Sequence, residues 1–448
     1  MPPPKVKIIE ESGVAAPATA ALPPEPIRLS ALDAQWVTLP LIQRVLIFAF
    51  AAAAAPPPFA SAVSALRASL AATLARFPTL GGRVVHLPAT GDAAIDCSAG
   101  GGVRFVVAEA EGDGADAARL AGAEDHDAEA FRALVPGLDA GALPAEAMAA
   151  QATRLSGGGV ALGVAMHHAV VDGRSVWAFL QAWAAACRGD VWAGEPPTFD
   201  RAVIRLPSGD ELARDVLRKY APDLPVATVA GHLVRPNLSR RTFTITAEDM
   251  HRLKHRIAAG LSPAATTPSS FVAVAAVSFV RAKHAAGVIA SAADEVYLFF
   301  FADCRARLDP APGERYFGTC ISGCLARAAA GDLLATEGGG LGAAAAAVAE
   351  EVRRAAEDPL AGWDWMGTVE GVDMDRLVNL AGSTRFPAYE VADFGWGPPS
   401  RTELVTMNHD GQVVLVAGKG GAGGVQASVS LHPAHMDDYK SHFHSYLT

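Results

Sequence analysis

Hydrophobic residues recur along the chain in patterns that predict both helices and strands. Apolar side chains at three- and four-residue spacing predict an amphipathic helix over residues 58–77, and a Val/Ile/Leu/Phe run predicts a strand over 41–50. The apolar run 160–166 predicts a buried strand, and helical spacing returns over 176–187. The sequence therefore predicts a strand, a turn and a helix across residues 160–187.

The second half of the chain mixes the same two patterns. We predict strands over residues 241–245, 296–302, 403–408, 412–417 and 424–431, and helices over 247–259, 269–286, 343–356 and 433–447. Residues 1–28 are predicted to form a loose N-terminal segment. Residues 188–225 show no sustained hydrophobic periodicity, which is typical of a linker. Helices and strands do not alternate strictly, which favours mixed α/β sheets over a Rossmann fold. The predicted organisation is an N-terminal domain (1–200), a crossover linker (201–225) and a C-terminal domain (226–448).

Composition narrows the class of protein. A chain of 448 residues is too long to form one compact core, so more than one domain is expected. The chain has 37 basic and 47 acidic residues, and its net charge of −10 argues against nucleic-acid binding. Five scattered cysteines form neither a disulfide framework nor a paired zinc motif. The N-terminus lacks a signal-peptide layout, and the apolar stretch 45–55 is too short to cross a bilayer. We therefore expect a cytoplasmic globular protein.

The strongest local signal is the sequence Met-His-His-Ala-Val-Val-Asp-Gly at residues 166–173. It lies where the buried strand opens into the helix, so an imidazole there can face a cavity. The ordinary pKa of histidine suits removal of a proton from a hydroxyl, which makes His168 a candidate general base. Two structural interpretations stay open: either His167 or His168 is a core histidine, and Asp172 is the N-cap of the helix.

A second motif, Asp-Phe-Gly-Trp-Gly at residues 393–397, is typical of a tight backbone turn around a large ring. We interpret it as structural, with Asp393 anchoring the loop without touching a substrate.

Together the two motifs resemble the HHxxxDG and DFGWG motifs of the BAHD acyl-CoA acyltransferases of plant specialised metabolism. The resemblance covers nearly the whole chain. Residues 29–33 resemble the family's LSxxD segment, 268–272 its STFV-like helix start, and 303–307 its DxRxR strand end. Residues 316–320 are close to YFGNC, a mark of the branch that acylates anthocyanins, flavonoids and phenolic glucosides, with Thr319 in place of Asn.

This resemblance implies two similar-sized chloramphenicol-acetyltransferase-like domains with a channel between them. His168 would act as general base, and Asp172 would pair with an arginine, for which Arg305 is the candidate. Asp393, Gly395, Trp396 and Gly397 would support the site. The family uses acyl-CoA as a co-substrate with no metal or other cofactor, and we expect a monomer.

For the acyl-CoA side the candidates are Lys254, Ser269 and Ser270, which offer positive charge and hydrogen-bond donors. Arg174 is the candidate for the free carboxylate of a malonyl donor. Malonyl-CoA leads on branch resemblance and a hydroxycinnamoyl-CoA comes next, because the helix start after Arg174 is apolar. The expected acceptor is a hydroxyl of a flavonoid, anthocyanin or phenolic glucoside.

Four other interpretations are weaker. A non-catalytic relative that binds a phenolic ligand is the main alternative. A peptide-synthetase condensation domain shares HHxxxDG but normally lies in a much longer chain. A serine hydrolase lacks its GxSxG elbow here. A metal site at His251 and His255 has no obvious third ligand.

Overall fold

A computed structural model describes residues 4–50, 57–98, 101–229, 237–261, 267–281, 289–335, 339–407, 409–421 and 423–447. The strands run over Lys5–Val14 (β1), Ile27–Arg28 (β2), Ile42–Ala49 (β3), Arg83–Leu87 (β4), Asp92–Asp96 (β5), Val103–Glu111 (β6), Ala145–Glu146 (β7), Met148–Leu155 (β8), Gly159–Met166 (β9), Ser239–Ile245 (β10), Glu295–Asp303 (β11), Ile321–Ala329 (β12), Leu377–Gly382 (β13), Arg401–Leu404 (β14), Gln412–Ala417 (β15) and Val425–Leu431 (β16). The α-helices run over Ala31–Ala34 (α1), Phe59–Leu74 (α2), Ala117–Gly122 (α3), Ala128–Ala133 (α4), Gly173–Arg188 (α5), Gly209–Tyr220 (α6), Ala247–Ala259 (α7), Ser270–Arg281 (α8), Ala330–Leu333 (α9), Gly339–Glu357 (α10), Trp365–Thr368 (α11) and Pro433–Leu447 (α12).

The first compact unit comprises Met1–Gly231, Leu308–Cys320 and Ala388–Thr406. Its six-stranded sheet has the order β1-β6-β8-β9-β3-β14, and a smaller sheet has the order β2-β5-β4-β7. Strand β9 pairs antiparallel with β8 on one side and β3 on the other, and all of its residues are buried. This central position explains its uninterrupted apolar sequence.

Helix α5 follows β9 in the same unit and buries one face. Its buried residues include Val176, Phe179, Leu180 and Trp183, the positions whose spacing predicted the helix. The helix ends at Gly189, which takes a left-handed backbone conformation (φ 76°). Local sequence and packing therefore agree for β9 and α5.

The second compact unit comprises His232–Arg307, Ile321–Pro387 and Met407–Thr448. Its sheet has the order β10-β16-β15-β13-β11-β12, mixing antiparallel pairs with the parallel pairs β11–β13 and β13–β15. Helices α7, α8, α10 and α12 contribute to one hydrophobic core with this sheet. No helix among the described residues is long and apolar enough to cross a membrane.

Three segments differ from the sequence prediction. The strand predicted over 403–408 runs over Arg401–Leu404 instead. The loose N-terminal segment contains β1, an edge strand that pairs with β6 and leaves most of its residues exposed, so it lacks a buried apolar pattern. The aperiodic segment 188–225 contains α6, whose charged sequence buries only Ala213, Val216 and Leu217. The end of the helix predicted over 269–286 lies outside the described residues, and the domain boundaries at 200 and 226 stay a prediction.

Candidate active site

The histidine motif occupies the turn between β9 and α5. The backbone N–H of His167 donates to the carbonyl of Ala147 at 2.9 Å, and the N–H of Val170 donates to the carbonyl of His167 at 2.9 Å. Asp172 is the N-cap of α5 and accepts from the backbone N–H of Ser175 at 3.0 Å. The chain therefore passes from strand to helix through one hydrogen-bonded turn that carries both histidines.

The two adjacent histidines have different surroundings. His167 is 1% exposed, and its Nδ1 accepts a hydrogen bond from the backbone N–H of Ala169 at 3.2 Å. An accepting Nδ1 places the proton of the neutral ring on Nε2. Burial, reinforced by the neighbouring His168, lowers the pKa of His167 to about 4. His167 is thus a neutral, packed side chain.

His168 is only partly buried, and its ring stacks on the indole of Trp36. The ring centroids lie 3.6 Å apart and the planes are inclined by 9°. Burial lowers the pKa of His168 to about 4, and the backbone at His168 and the charge of Asp172 offset this effect only in part. The imidazole is therefore neutral at physiological pH, which is the form that accepts a proton.

Asp172 is fully buried and faces the backbone on two sides. One carboxylate oxygen caps α5, and the other accepts from the backbone N–H of Cys320 at 3.1 Å. The expected partner Arg305 belongs to the second unit, where its backbone N–H donates to Asp303 at 2.9 Å and its guanidinium lies 3.3 Å from the same carboxylate. The pairing of Asp172 with Arg305 stays a prediction.

The Tyr-Phe-Gly-Thr-Cys segment at residues 316–320 contacts this turn directly. The hydroxyl of Thr319 donates to the carbonyl of His168 at 3.3 Å. Gly318 exchanges hydrogen bonds with the hydroxyl of Ser175, its N–H donating at 3.2 Å and its carbonyl accepting at 3.1 Å. A Cβ on Gly318 would lie 2.7 Å from the guanidinium of Arg201, so this close approach requires glycine.

The Asp-Phe-Gly-Trp-Gly segment forms a compact turn around one carboxylate oxygen. Oδ1 of Asp393 accepts from the backbone N–H groups of Gly395, Trp396 and Gly397 at 2.8, 3.1 and 3.0 Å. Both glycines have positive φ, 97° and 89°. The Trp396 ring packs edge-on against Phe48 of β3, with centroids 5.3 Å apart. These contacts pack the segment within the first unit, and its role in supporting the site stays a prediction.

A sequence model of the Transferase family matches residues 5–446 of this chain. The chain belongs to the BAHD family of acyltransferases. It is 28% identical to phenolic glucoside malonyltransferase 1 of Arabidopsis thaliana over 91% of both chains. It is also 27% identical to agmatine coumaroyltransferase of the same plant over 99% of both chains. These relatives carry acyltransferase names, and this BAHD chain is likewise an acyltransferase.

The fold of the BAHD chain is also that of a solved structure. The crystal structure of vinorine synthase matches it with a TM-score of 0.75 and 19% identity, covering 98% of each chain. The predicted α/β class, with mixed sheets and a two-domain chloramphenicol-acetyltransferase-like fold, is confirmed.

The remaining candidates are one residue of α5 and three residues of the second unit. Lys254 is on α7, Ser270 begins α8, and the hydroxyl of Ser269 accepts from the backbone N–H of Val272 at 3.2 Å, all in the second unit. Arg174 is in the first turn of α5 and forms an ion pair with Glu314. Their roles in binding acyl-CoA stay predictions.

Two residues that contact the histidine turn have little or no signal in the sequence: Trp36 stacks on His168, and Arg201 donates to the carbonyl of Val170. Trp36 follows Asp33 of the LSxxD segment by three residues, one helical turn, and this spacing could have placed the indole beside the site. Arg201 lies in a segment without periodicity, and no sequence pattern predicts its position. Only the tertiary fold places its guanidinium next to Gly318.

The lowered pKa of His168 predicts an unusual pH profile for this BAHD enzyme. A base with an ordinary histidine pKa near 6.5 would lose about fourfold in kcat/KM between pH 7.5 and 6.0. With a pKa of about 4, His168 stays neutral over that range, so we expect a change of less than about twofold. Initial rates with an acceptor that does not titrate in this range test this. A fourfold fall with a midpoint near pH 6.5 would contradict it.

Proposed function

We propose that this enzyme transfers an acyl group from acyl-CoA to a hydroxyl of a flavonoid, anthocyanin or phenolic glucoside, with His168 as general base. The observation that carries the proposal is the neutral imidazole of His168, stacked on Trp36 at the carboxyl end of β9. The neighbouring His167 is buried and its Nδ1 accepts a backbone hydrogen bond. His168 is therefore the histidine of the motif that we expect to accept a proton from a substrate.

The reaction requires one proton carrier and no covalent acyl-enzyme. His168 accepts the proton of the acceptor hydroxyl as the oxygen attacks the thioester carbonyl carbon. A carbon–oxygen bond forms and the carbonyl electrons move to oxygen, giving a tetrahedral oxyanion. Collapse re-forms the carbonyl and breaks the carbon–sulfur bond. The protonated His168 then returns its proton to the CoA thiolate, so atoms and charge balance.

We infer that malonyl-CoA is the preferred donor and a hydroxycinnamoyl-CoA the next. The malonyltransferase named above supports the first choice, and the coumaroyltransferase supports the second. Arg174 offers a guanidinium at the start of α5, six residues after His168, and it now pairs with the mostly exposed carboxylate of Glu314. A malonyl carboxylate would replace Glu314 in that pair, because both present the same charged group to arginine.

A donor comparison with two matched variants tests this assignment. Purified enzyme is given malonyl-CoA or coumaroyl-CoA with a panel of flavonoid and phenolic glucosides, and both CoA thiol release and ester mass are measured. We expect Arg174→Gln to raise KM for malonyl-CoA about tenfold or more and to leave KM for coumaroyl-CoA unchanged. Glu314→Gln removes the competing carboxylate and should lower KM for malonyl-CoA.

The outcomes separate the donor from the chemistry. Turnover with coumaroyl-CoA alone would keep His168 as base and reverse the donor ranking. An unchanged KM for malonyl-CoA in Arg174→Gln would show that Arg174 does not bind the carboxylate. Binding of CoA and a glucoside without any ester would favour a non-catalytic ligand-binding relative.

A further inference from the structure

A buried ion pair lies beneath the turn that carries His168. Asp33 is fully buried, and its Oδ2 accepts from Nε of Arg201 at 3.3 Å. The same guanidinium donates to the carbonyl of Phe317 at 2.6 Å and to the carbonyl of Val170 at 3.5 Å. Arg201 therefore links Phe317, which precedes Gly318, to Val170 in the turn that carries His168. Three segments distant in sequence are held together by a single charged group.

Thr319 joins this pair to His168. Its backbone N–H donates to Oδ1 of Asp33 at 3.0 Å, and its hydroxyl donates to the carbonyl of His168 at 3.3 Å. Thr319 is fully buried, so no water competes for either bond. It is also the position at which this chain departs from the YFGNC pattern that residues 316–320 otherwise resemble.

We propose that Thr319 is a positioning residue for His168, with its hydroxyl holding the His168 backbone in the place that Asp33 and Arg201 define. The inference rests on the proposed role of His168 as base. In this role Thr319 acts through the backbone of His168 and touches neither the substrate nor the reacting atoms.

The His168 ring is held both by its stacking partner and by its own backbone. Its stacking on Trp36 fixes the ring plane, but a ring can slide along its neighbour unless its own backbone is fixed. The β-branched Thr319 has few rotamers, so its hydroxyl is presented to the His168 carbonyl at little entropic cost. Asp33 fixes the backbone of Thr319, and Arg201 fixes the chain on both sides. Because a displacement of about 1 Å can cost a hundredfold in rate, one such bond is enough to affect catalysis.

The test compares pairs of variants that differ only in the hydroxyl. Thr319→Val keeps the shape and loses the donor, and Thr319→Ser keeps the donor. We expect Thr319→Val to lower kcat about tenfold, equivalent to about 1.4 kcal/mol, with KM for the acyl-CoA unchanged. Thr319→Ser should retain kcat within about twofold. If the valine variant does not fold, Thr319→Ala against Thr319→Ser supplies the same comparison.

The pH profile distinguishes positioning from simple stabilisation. Asp172 and His167 are the titratable neighbours of His168 on its own turn, and neither is altered by the substitution. If Thr319→Val lets the ring move further toward solvent, the pKa of His168 rises toward its ordinary value, and the acid limb of kcat moves to higher pH. A lower melting temperature with wild-type kcat and an unmoved acid limb would overturn the proposal.

Failure of this inference and failure of the proposed function give different results. If His168 were not the base, His168→Gln would retain turnover whatever Thr319 does. If His168→Gln were inactive while Thr319→Val kept full kcat and the wild-type pH profile, only the positioning role would be lost.

Discussion

Replacing His168 with alanine is expected to lower kcat by about a thousandfold, equivalent to about 4 kcal/mol of transition-state stabilisation. The reason is the loss of the neutral, partly exposed imidazole of the motif, since the neighbouring His167 is buried and hydrogen-bonded to the backbone. A hydroxyl without a base must lose its proton to water, which is a much weaker base than a neutral imidazole. The measurement is the rate of CoA thiol release at saturating donor and acceptor.

The adjacent histidine provides a matched control for this prediction. His167→Gln changes the neighbouring residue, which the structure assigns to packing, and should keep kcat within about tenfold. Thermal unfolding of both variants and of His168→Gln shows whether lost activity reflects lost structure. A folded His168→Ala enzyme with wild-type kcat would remove His168 from the mechanism.

Replacing Asp172 with alanine is expected to destabilise the protein by about 2–4 kcal/mol and to reduce activity. The carboxylate caps α5 through the N–H of Ser175, and loss of an N-cap costs about 1 kcal/mol. The N–H of Cys320 would also lose its acceptor in a fully buried place, which costs about 1–3 kcal/mol more. Because both bonds hold the turn that carries His168, we expect kcat to fall together with stability. Urea unfolding measures the first effect and thiol release the second.

Asp172→Asn separates the two bonds. Its single carbonyl oxygen can keep the cap to Ser175 but cannot also accept from Cys320 in the same way, so the expected loss of stability is about half that of the alanine variant. An alanine variant with wild-type unfolding free energy would contradict the structural role given to the carboxylate. An alanine variant that loses activity without losing stability would instead assign Asp172 to the chemistry.

The part of the fold that carries His168 could be predicted from sequence because its local pattern and its burial agree. Strand β9 is apolar throughout since it is central in its sheet, and α5 buries the positions that its spacing indicates. The edge strand β1 and the helix α6 were missed for the opposite reason. Each buries too little surface to impose a pattern on its sequence.

The candidate site was predictable only as far as its motif extends. His168 and Asp172 are neighbours in sequence and could be found together. Trp36 and Arg201 contact the turn that carries His168, although each is more than thirty residues away from His168 in sequence. Hydrophobic periodicity does not predict such contacts. The sequence shows Thr319 as a departure from the YFGNC pattern. Its hydrogen bond to the His168 carbonyl depends on the fold and could not be predicted.

We expect this chain to join an acyl group from CoA to an acceptor hydroxyl with His168 as base. The most direct test counts CoA thiol and ester product in the same reaction, for wild type and for His168→Gln. We expect one ester for each thiol in the wild type, no thiol release without acceptor, and turnover reduced about a thousandfold in the variant. Ester formation by folded His168→Gln at the wild-type rate, or thiol release by the wild type without ester, would contradict it.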